Sequence, residues 1–361
     1  MKNYTLCLFT VVTGSLYFNA SADVPKSESL PECGRMYAPP YGSSADAYAR
    51  SCALPQERNY TPISVGFGRK ALDLESEACF VPDISYQLLD SIVSEVRRRV
   101  PDQTKGLSDD ETRSLMERVS KTMGDVLVEK GFELYIPTDT LGDSLHFRES
   151  AGEPPRHIID CDTSSLILLE IAQAFDLRAS LVDITLQSGS GHNYVRWHVN
   201  ETTYFDWDTN GRGICQTPSD LNEHEGVAMN SDETMSYLYL LRTFTWEATQ
   251  KFSLAIEDYK TSLKLNPNNA TAHNNYSWMI STKEFPERDK YVKIGLEAAE
   301  KAVKLSPTYG RYDTLACAHA LDGNYPKAKS IQKRIYEATG NSSYHRRLKL
   351  FIERKDCTGE S

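Results

Sequence analysis

The stretch CDTSSLILLEIAQAF, residues 161–175, decides the fold. Its apolar side chains wrap almost the whole way round a helix, which predicts a helix buried inside a domain, and it is too short to cross a membrane. Cys161 opens this helix. We expect the positive end of the helix dipole to lower the pKa of its thiol, and the neighbouring carboxylates of Asp160 and Asp162 to raise it.

Three segments after this helix predict an antiparallel sheet. Residues 179–184 and 192–199 are rich in strand-forming side chains, and residues 202–208 continue them after a turn at Asn200 and Glu201. Together with the helices on either side of it, this sheet gives an expected fold class of α+β.

Chemically reactive residues lie at the ends of these elements. His192 opens the second strand, 31 residues after Cys161, and Asp206 and Asp208 close the third. Because side chains alternate along a strand, both acids share a face, and either can reach the imidazole across the hairpin. The order Cys, His, Asp is what a thiol nucleophile with an oriented imidazole base requires.

The runs CDTSSLILLEIAQAFDLRASLVDI, HNYVRW and YFDWDTN resemble the transglutaminase-like core in its bacterial branch. The resemblance implies a papain-like fold in which Cys161 is the nucleophile and His192 is the general base and later the general acid. It also implies an acid that fixes the imidazole tautomer. An aromatic residue four positions before the family's Asp matches Tyr204, which makes Asp208 the first choice and Asp206 the second.

The resemblance covers roughly residues 140–215 and includes two departures from the family pattern. Thr209 stands where a proline often follows the family's Asp, and Asp160 stands where a small or amide residue precedes the Cys. The implied chemistry is thiolate attack on an amide to give a thioester, which water or an amine then resolves. The sequence leaves hydrolysis and transamidation open.

Two other functions use the same residues. One is a non-catalytic adaptor that keeps the fold without the chemistry. The other is a metal site built from Cys161, His192 and a carboxylate, although no CxxC or HExxH spacing occurs and we expect neither a metal nor a cofactor. His157 is a possible catalytic helper, but an exposed surface histidine is the preferred interpretation.

The first 22 residues (1–22) predict a cleaved secretory signal. Lys2 precedes an apolar stretch, and small residues at Ala20 and Ala22 end it. We therefore expect a secreted, periplasmic protein that is free of the membrane after cleavage, with an uncleaved anchor as the alternative. The net charge of −10 argues against nucleic acid or an anionic lipid surface as a partner.

The cysteine count agrees with an oxidising compartment. Eight cysteines less Cys7 in the signal leave seven, an odd number, so one reactive thiol can remain beside three disulfides. Cys161 is the expected thiol. The others, whose connectivity stays open, are Cys33, Cys52, Cys79, Cys215, Cys317 and Cys357. We expect pairing among the first three, because they lie in a Pro- and Gly-rich segment.

The region before the reactive residues divides into two parts. Residues 23–80 predict a loop-rich lead segment tied by disulfides. Residues 81–232 contain the core, which begins with amphipathic helices over 83–99 and 108–130. We expect the apolar faces of these helices to cover the catalytic part of the core.

Residues 233–355 carry a repeat that predicts an all-α tail. Two sets of residues match the second helix of a tetratricopeptide repeat: Ala255, Tyr259, Ser262 and Pro267, and then Gly295, Ala299, Ala302 and Pro307. The sets are 40 residues apart instead of about 34, which predicts an insertion near residues 285–290. Residues 312–338 suggest a third unit, with Gly323 at its turn and Ala328 packed against the neighbouring helix.

This tail is expected to act in one of two ways. It either binds a protein or peptide partner on a concave surface or serves as a helical cap on the core. Small residues in each set allow close approach of helices, and proline ends each pair. The sequence leaves the oligomeric state open.

Overall fold

The computed structural model of this chain describes residues 60–79, 81–101, 105–134, 140–145, 157–185, 191–209 and 226–359. These residues fall into two compact units, an N-terminal unit up to Thr234 and a C-terminal unit from Met235. The first is mixed α+β with a small three-stranded antiparallel sheet, and the second is helical, so the predicted α+β class with a helical C-terminal part is confirmed. The signal at 1–22 lies outside the described residues.

In the N-terminal unit, three helices precede the first strand. Strands β1 and β2 form a separate parallel pair, and β3, β4 and β5 form the antiparallel sheet in that order. The elements are α1 Phe67–Ala78, α2 Asp83–Arg99, α3 Asp109–Glu129, β1 Phe132–Leu134, α4 Leu141–Ser144, β2 His157–Ile159, α5 Cys161–Ala174, β3 Ala179–Thr185, β4 Gly191–His198 and β5 Tyr204–Trp207. The parallel pair was not predicted, because three-residue strands are too short to show a period.

Helix α5 is the centre of this unit. Every residue from Cys161 to Ala172 is buried, as the apolar pattern predicted. Helices α1, α2 and α3 and strands β3 and β4 all pack against it. The prediction that the two amphipathic helices cover this part of the core is therefore confirmed for α2 and α3.

The sheet alternates as its sequence requires. Val195 pairs with Leu181 on one side and Trp207 on the other, and all three side chains are buried. Trp197 is fully buried on the same face, and its indole N–H donates to Ser120 Oγ of α3 at 2.9 Å. Because the pleat turns alternate side chains to opposite faces, His192, Arg196 and Asp206 lie on the other face.

The end of the predicted lead segment is not a loop. Residues 67–78 form α1, and a carboxylate of α5 caps it: Glu170 accepts the backbone N–H groups of Val65, Gly66 and Arg69 at 2.7 to 2.9 Å. A Cβ on Gly66 would lie 2.8 Å from Glu170 Oε2, so glycine is needed for this close approach. The cap residue lies about 100 positions away in sequence, which is why the local pattern of residues 23–80 predicted a loop.

Asp90 of α2 fixes the preceding extended residues in the same way. Its carboxylate accepts the N–H groups of Ile63 and Ser64 and the hydroxyls of Ser64 and Tyr60. Burial raises the pKa of Asp90, but these hydrogen bonds outweigh burial and hold the pKa below its usual value.

The C-terminal unit is a succession of helices, and its boundary falls inside the first of them. They are α6 Ser231–Ala248, α7 Phe252–Leu265, α8 Ala270–Thr282, a 3₁₀ turn at Arg288–Tyr291, α9 Val292–Leu305, α10 Tyr309–Leu321, α11 Tyr325–Thr339 and α12 Ser342–Ile352. The 3₁₀ turn lies at the end of the predicted insertion. Among the described helices of the whole chain, none has both the length and the apolar character needed to cross a membrane.

Small residues bring these helices together as predicted. Gly295, Ala299 and Ala302 of α9 are buried, and a Cβ on Gly295 would lie 3.1 Å from Ile280 of α8. Gly323 forms the turn between α10 and α11 with φ +79°, and Ala328 is fully buried. Because glycine adopts this backbone conformation without strain, the turn can be tight and the helices can pack closely.

Buried ion pairs join neighbouring helices of this unit. Arg242 of α6 donates two hydrogen bonds of 2.7 Å to Asp258 of α7, and the Trp246 indole N–H donates to the same carboxylate at 2.8 Å. Arg347 of α12 donates to Asp313 of α10 at 2.7 Å. Each pair has both partners buried, so removing one partner would leave an uncompensated charge.

A disulfide closes the end of the chain. Cys317 of α10 and Cys357, which follows α12, have Cα atoms 5.5 Å apart and enclose 40 positions of sequence. A loop of this length corresponds to about 4 kcal/mol of stabilisation through restriction of the unfolded chain. Cys79 is also disulfide-bonded. The other cysteines expected in disulfides, Cys33, Cys52 and Cys215, lie outside the described residues.

We predict that Glu170→Gln lowers the free energy of unfolding by about 2 kcal/mol, because an amide group would replace one acceptor oxygen that the backbone N–H groups of residues 65–69 require. Urea unfolding followed by circular dichroism measures this. The control is Glu297→Gln, which alters an exposed carboxylate of α9. Equal midpoints for the two variants would contradict the assignment of Glu170 as the cap of α1.

We also predict that stability falls as pH rises through neutrality because of Glu247. Its half-buried carboxyl accepts the Tyr259 hydroxyl at 2.7 Å, and burial raises its pKa from 4.5 to about 7, against the effects of Tyr259 and Lys283. The folded chain therefore holds a proton that the unfolded chain releases above pH 4.5. The stabilisation that this bound proton gives the folded chain is complete below pH 4.5 and is lost as pH rises through about 7.

Between about pH 5 and about pH 8, the unfolding free energy of the unaltered chain should fall by about 2 kcal/mol because of Glu247, and Glu247→Gln should lack this fall. The measurement is a series of urea transitions across that range, with Glu297→Gln as the control. A pH slope that is the same in Glu247→Gln and in the unaltered chain would rule out this origin.

Candidate active site

The first turn of α5 is fixed by its own cap. Asp160 Oδ1 accepts the backbone N–H groups of Asp162 at 3.1 Å and Thr163 at 3.0 Å, and Thr163 Oγ1 accepts the Asp160 N–H at 3.0 Å. This reciprocal pair is a capping box. Asp160 was expected only as a negative charge near the thiol. In the structure it is the N-cap residue of α5, so Cys161 is the first helical residue.

Two side-chain hydrogen bonds attach this turn to the sheet. Asn193 of β4 donates its amide N–H to Asp162 Oδ1, and the hydroxyls of Ser164 and Thr209 share a hydrogen bond. All four residues are buried. Two residues that follow Cys161 in the first turn are therefore bonded to the residues that follow His192 and Asp208 in the sequence.

His192 and Asp208 form a buried pair. The Nε2 of His192 lies 2.9 Å from Oδ2 of Asp208, and the residues are only 5% and 8% exposed. An ionised carboxylate accepts a hydrogen bond from the N–H at Nε2, which leaves the lone pair of the neutral imidazole on Nδ1. The structure thus brings together the predicted histidine and the first-choice acid.

Asp206 has a different partner. Arg196 is directly opposite it in the sheet and donates two hydrogen bonds to its two oxygens, at 2.6 and 2.7 Å. The hydrogen bonds to Asp206 raise the pKa of Arg196 against the effect of burial, and the ring of Tyr204 lies 4.1 Å from the guanidinium. Asp206 therefore holds the hairpin together while Asp208 holds the imidazole.

The thiol of Cys161 is buried and is not part of a disulfide. Its residue is 2% exposed, and its Sγ lies 4.0 Å from Asp162 Oδ1, the same oxygen that accepts the Asn193 amide. A carboxylate that Asn193 of β4 holds in place therefore lies beside the thiol.

The interpretation of His157 as an exposed histidine is wrong. Its side chain is 2% exposed, its Nδ1 lies 3.1 Å from the Ser144 carbonyl oxygen, and its ring stacks on Phe132 at 4.5 Å. The parallel pairing of β1 and β2, which sets Phe132 opposite His157, accounts for this burial. His157 is therefore part of the packed core.

Asn193, Asp162 and Thr209 were not predicted as site residues. The alternation of β4 offered one signal: Asn193 lies on the same face as Val195 and Trp197, where an amide among apolar side chains needs a hydrogen-bond partner. Nothing in the local sequence identified that partner as Asp162, because the contact depends on how α5 crosses the sheet.

Among the residues that the structure describes, no three His, Cys, Asp or Glu side chains form a group that would hold a metal ion. No protein-family model matches the sequence, and no curated protein matches it.

We predict that Asp206→Asn lowers the free energy of unfolding by about 3 kcal/mol, because it leaves the buried Arg196 guanidinium without its carboxylate. Replacing both partners with apolar residues, as Arg196→Met with Asp206→Leu, should restore most of the loss. Urea unfolding of the single and double variants measures both effects. A single variant as stable as the unaltered chain would show that this ion pair does not stabilise the hairpin.

Proposed function

We propose that this chain is a cysteine-dependent acyl-transfer enzyme with a transglutaminase-like, papain-type core in its N-terminal unit. The observation that carries the proposal is the buried His192–Asp208 pair, which lies at the strand ends to which the Cys161 turn is bonded. A carboxylate that fixes the tautomer and orientation of an imidazole is the support that a general base for a thiol requires.

In the proposed reaction, His192 Nδ1 takes the proton of the Cys161 thiol while sulfur attacks the carbonyl carbon of an amide. The new C–S bond forms a tetrahedral intermediate. The C–N bond then breaks, and the leaving amine takes the proton from the imidazolium. Asp208 stabilises the charged imidazolium through its bond to Nε2.

The resulting thioester is resolved by a second nucleophile. Water, deprotonated by His192, would make the protein an amidase or protease, and a primary amine would make it a transglutaminase. In either case the C–S bond breaks and the proton returns to sulfur. The described contacts favour neither nucleophile, so the choice is left to the experiment below.

For the C-terminal unit we propose tetratricopeptide-type repeats that bind a protein or peptide. Support comes from the small residues packed between helices, such as Gly295 against Ile280, and from helices α7 and α9 ending just before Pro267 and Pro307. We also propose a secreted, periplasmic location. The Cys317–Cys357 disulfide supports it, because disulfides persist mainly in oxidising compartments.

One observation favours the alternative, a non-catalytic adaptor with a degenerate core. Cys161 is 2% exposed and His192 is 5% exposed, so a peptide amide can reach the sulfur only after surrounding groups move. An inert buried thiol has this same environment. The two functions differ in whether the reactivity of Cys161 depends on His192.

Acylation of Cys161 by an activated ester at neutral pH tests the proposal, with mass spectrometry identifying the thioester. We predict that His192→Ala lowers the acylation rate by about 100-fold or more, since general base catalysis contributes at least that much. His198→Ala is the matched control, because His198 lies on the same strand and the same face and contacts Ser180 instead. Its acylation rate should equal that of the unaltered chain.

The outcomes separate the two functions. Rates that are equal in the unaltered chain, His192→Ala and His198→Ala would overturn the enzyme and support the adaptor. If acylation depends on His192, loss of the thioester in buffer alone identifies a hydrolase, and loss only after a primary amine is added identifies a transferase.

A further inference from the structure

The carboxylate of Asp162 lies beside the sulfur of the proposed nucleophile, Cys161. Asp162 Oδ1 lies 4.0 Å from Cys161 Sγ, and the Asn193 amide holds that oxygen in place. Asp162 is 7% exposed, so little water screens its charge from the sulfur. An anion in this position disfavours a second negative charge on sulfur.

We propose that Asp162 keeps the Cys161 thiol protonated in the resting protein, so that the thiolate forms only when a base removes the proton during attack. The inference rests on the proposed function, since it assigns a regulatory role at the same site. Asp162 is here a residue that tunes the nucleophile, and Asn193 positions it. Without this carboxylate, the amino end of α5 would favour a standing thiolate.

Two opposing effects act on the sulfur. The dipole of α5 favours the thiolate, but its effect is modest. The Asp160 carboxylate also takes up part of it, because that carboxylate already accepts N–H groups of the first turn. A full charge 4.0 Å away in a buried setting acts more strongly than the partial charge of a helix end. The Asn193 hydrogen bond weakens the field of Asp162 without cancelling it, because an amide donor carries no net charge.

The elements packed against α5 carry both acidic and basic side chains, and Arg69, Arg97 and Arg196 are among the basic ones. The titratable groups on the cap and on the elements packed against this helix include Asp160 in the cap, Glu75 on α1, Asp90 on α2, Asp183 on β3, His192 on β4 and Asp208 after β5. Glu75 and Asp90 are bonded to backbone N–H groups elsewhere. His192 is bonded to Asp208 through its Nε2, and Arg196 on the same strand is bonded to Asp206.

A chemical consequence follows for the proposed enzyme. A permanently ionised thiol would react with any electrophile in an oxidising compartment, whereas a protonated one is nearly inert. Proton transfer to His192 would then coincide with carbonyl attack. Reactivity would be limited to substrates that lie close enough for both events.

The test is the pH dependence of Cys161 alkylation by iodoacetamide, followed by mass spectrometry of the Cys161 peptide. We predict that Asp162→Asn moves the midpoint of the rate profile down by about one pH unit and raises the rate at neutral pH about tenfold. Asp176→Asn is the matched control, since it makes the same change at the exposed far end of the helix. Its profile should coincide with that of the unaltered chain, and coincidence of the Asp162→Asn profile with both would overturn the inference.

A second measurement needs no variant at position 162. The ultraviolet absorbance of the thiolate, taken as the difference between the unaltered chain and Cys161→Ser, gives the ionisation midpoint of this thiol directly. A midpoint at or above the ordinary value of about 8.5 supports the inference, and one well below it overturns the inference. Either result is independent of whether acylation requires His192, so failure of this inference and failure of the proposed enzyme are separately visible.

Discussion

The attachment of the first turn of α5 to the sheet is the constraint on which the candidate site depends. The Asp162–Asn193 and Ser164–Thr209 hydrogen bonds are buried, so they are not weakened by competition with water. They bring together residues that are far apart in sequence, at the end of the helix. A shift of the helix register by one residue there would rotate the thiol away by about 100°. These polar contacts therefore act together with the apolar core to fix the position of Cys161.

Buried carboxylates that accept backbone N–H groups recur through the N-terminal unit. Asp160 caps α5, Glu170 caps α1, Glu75 accepts the N–H groups at the start of α4, and Asp90 fixes the extended residues before α1. Burying such a charge is costly unless several donors satisfy it, and each of these acids has at least two. In this way a unit with short strands and short helices fixes the ends of its elements.

The sequence predicted the elements whose pattern is local. Helix α5 follows from its continuous apolar residues, the hairpin from strict alternation, and the close packing of α9 from Gly295 and its neighbours. The sequence did not predict α1, because Glu170 caps that helix from α5. It also did not predict the pairing of His157 with Phe132, because the two strands are only three residues long. The candidate acids illustrate the same limit. Alternation put Asp206 and Asp208 on one face, but only the register, which sets Arg196 opposite Asp206, separates their roles.

Thr209 and Asp160 both act on the turn that carries Cys161. Thr209 shares a hydroxyl hydrogen bond with Ser164, a bond that a proline could not make. Asp160 supplies the cap that orders the Cys161 turn. The Asp160 carboxylate caps α5 and the Asp162 carboxylate lies beside the sulfur, so the groups that order this turn also bring negative charge to it.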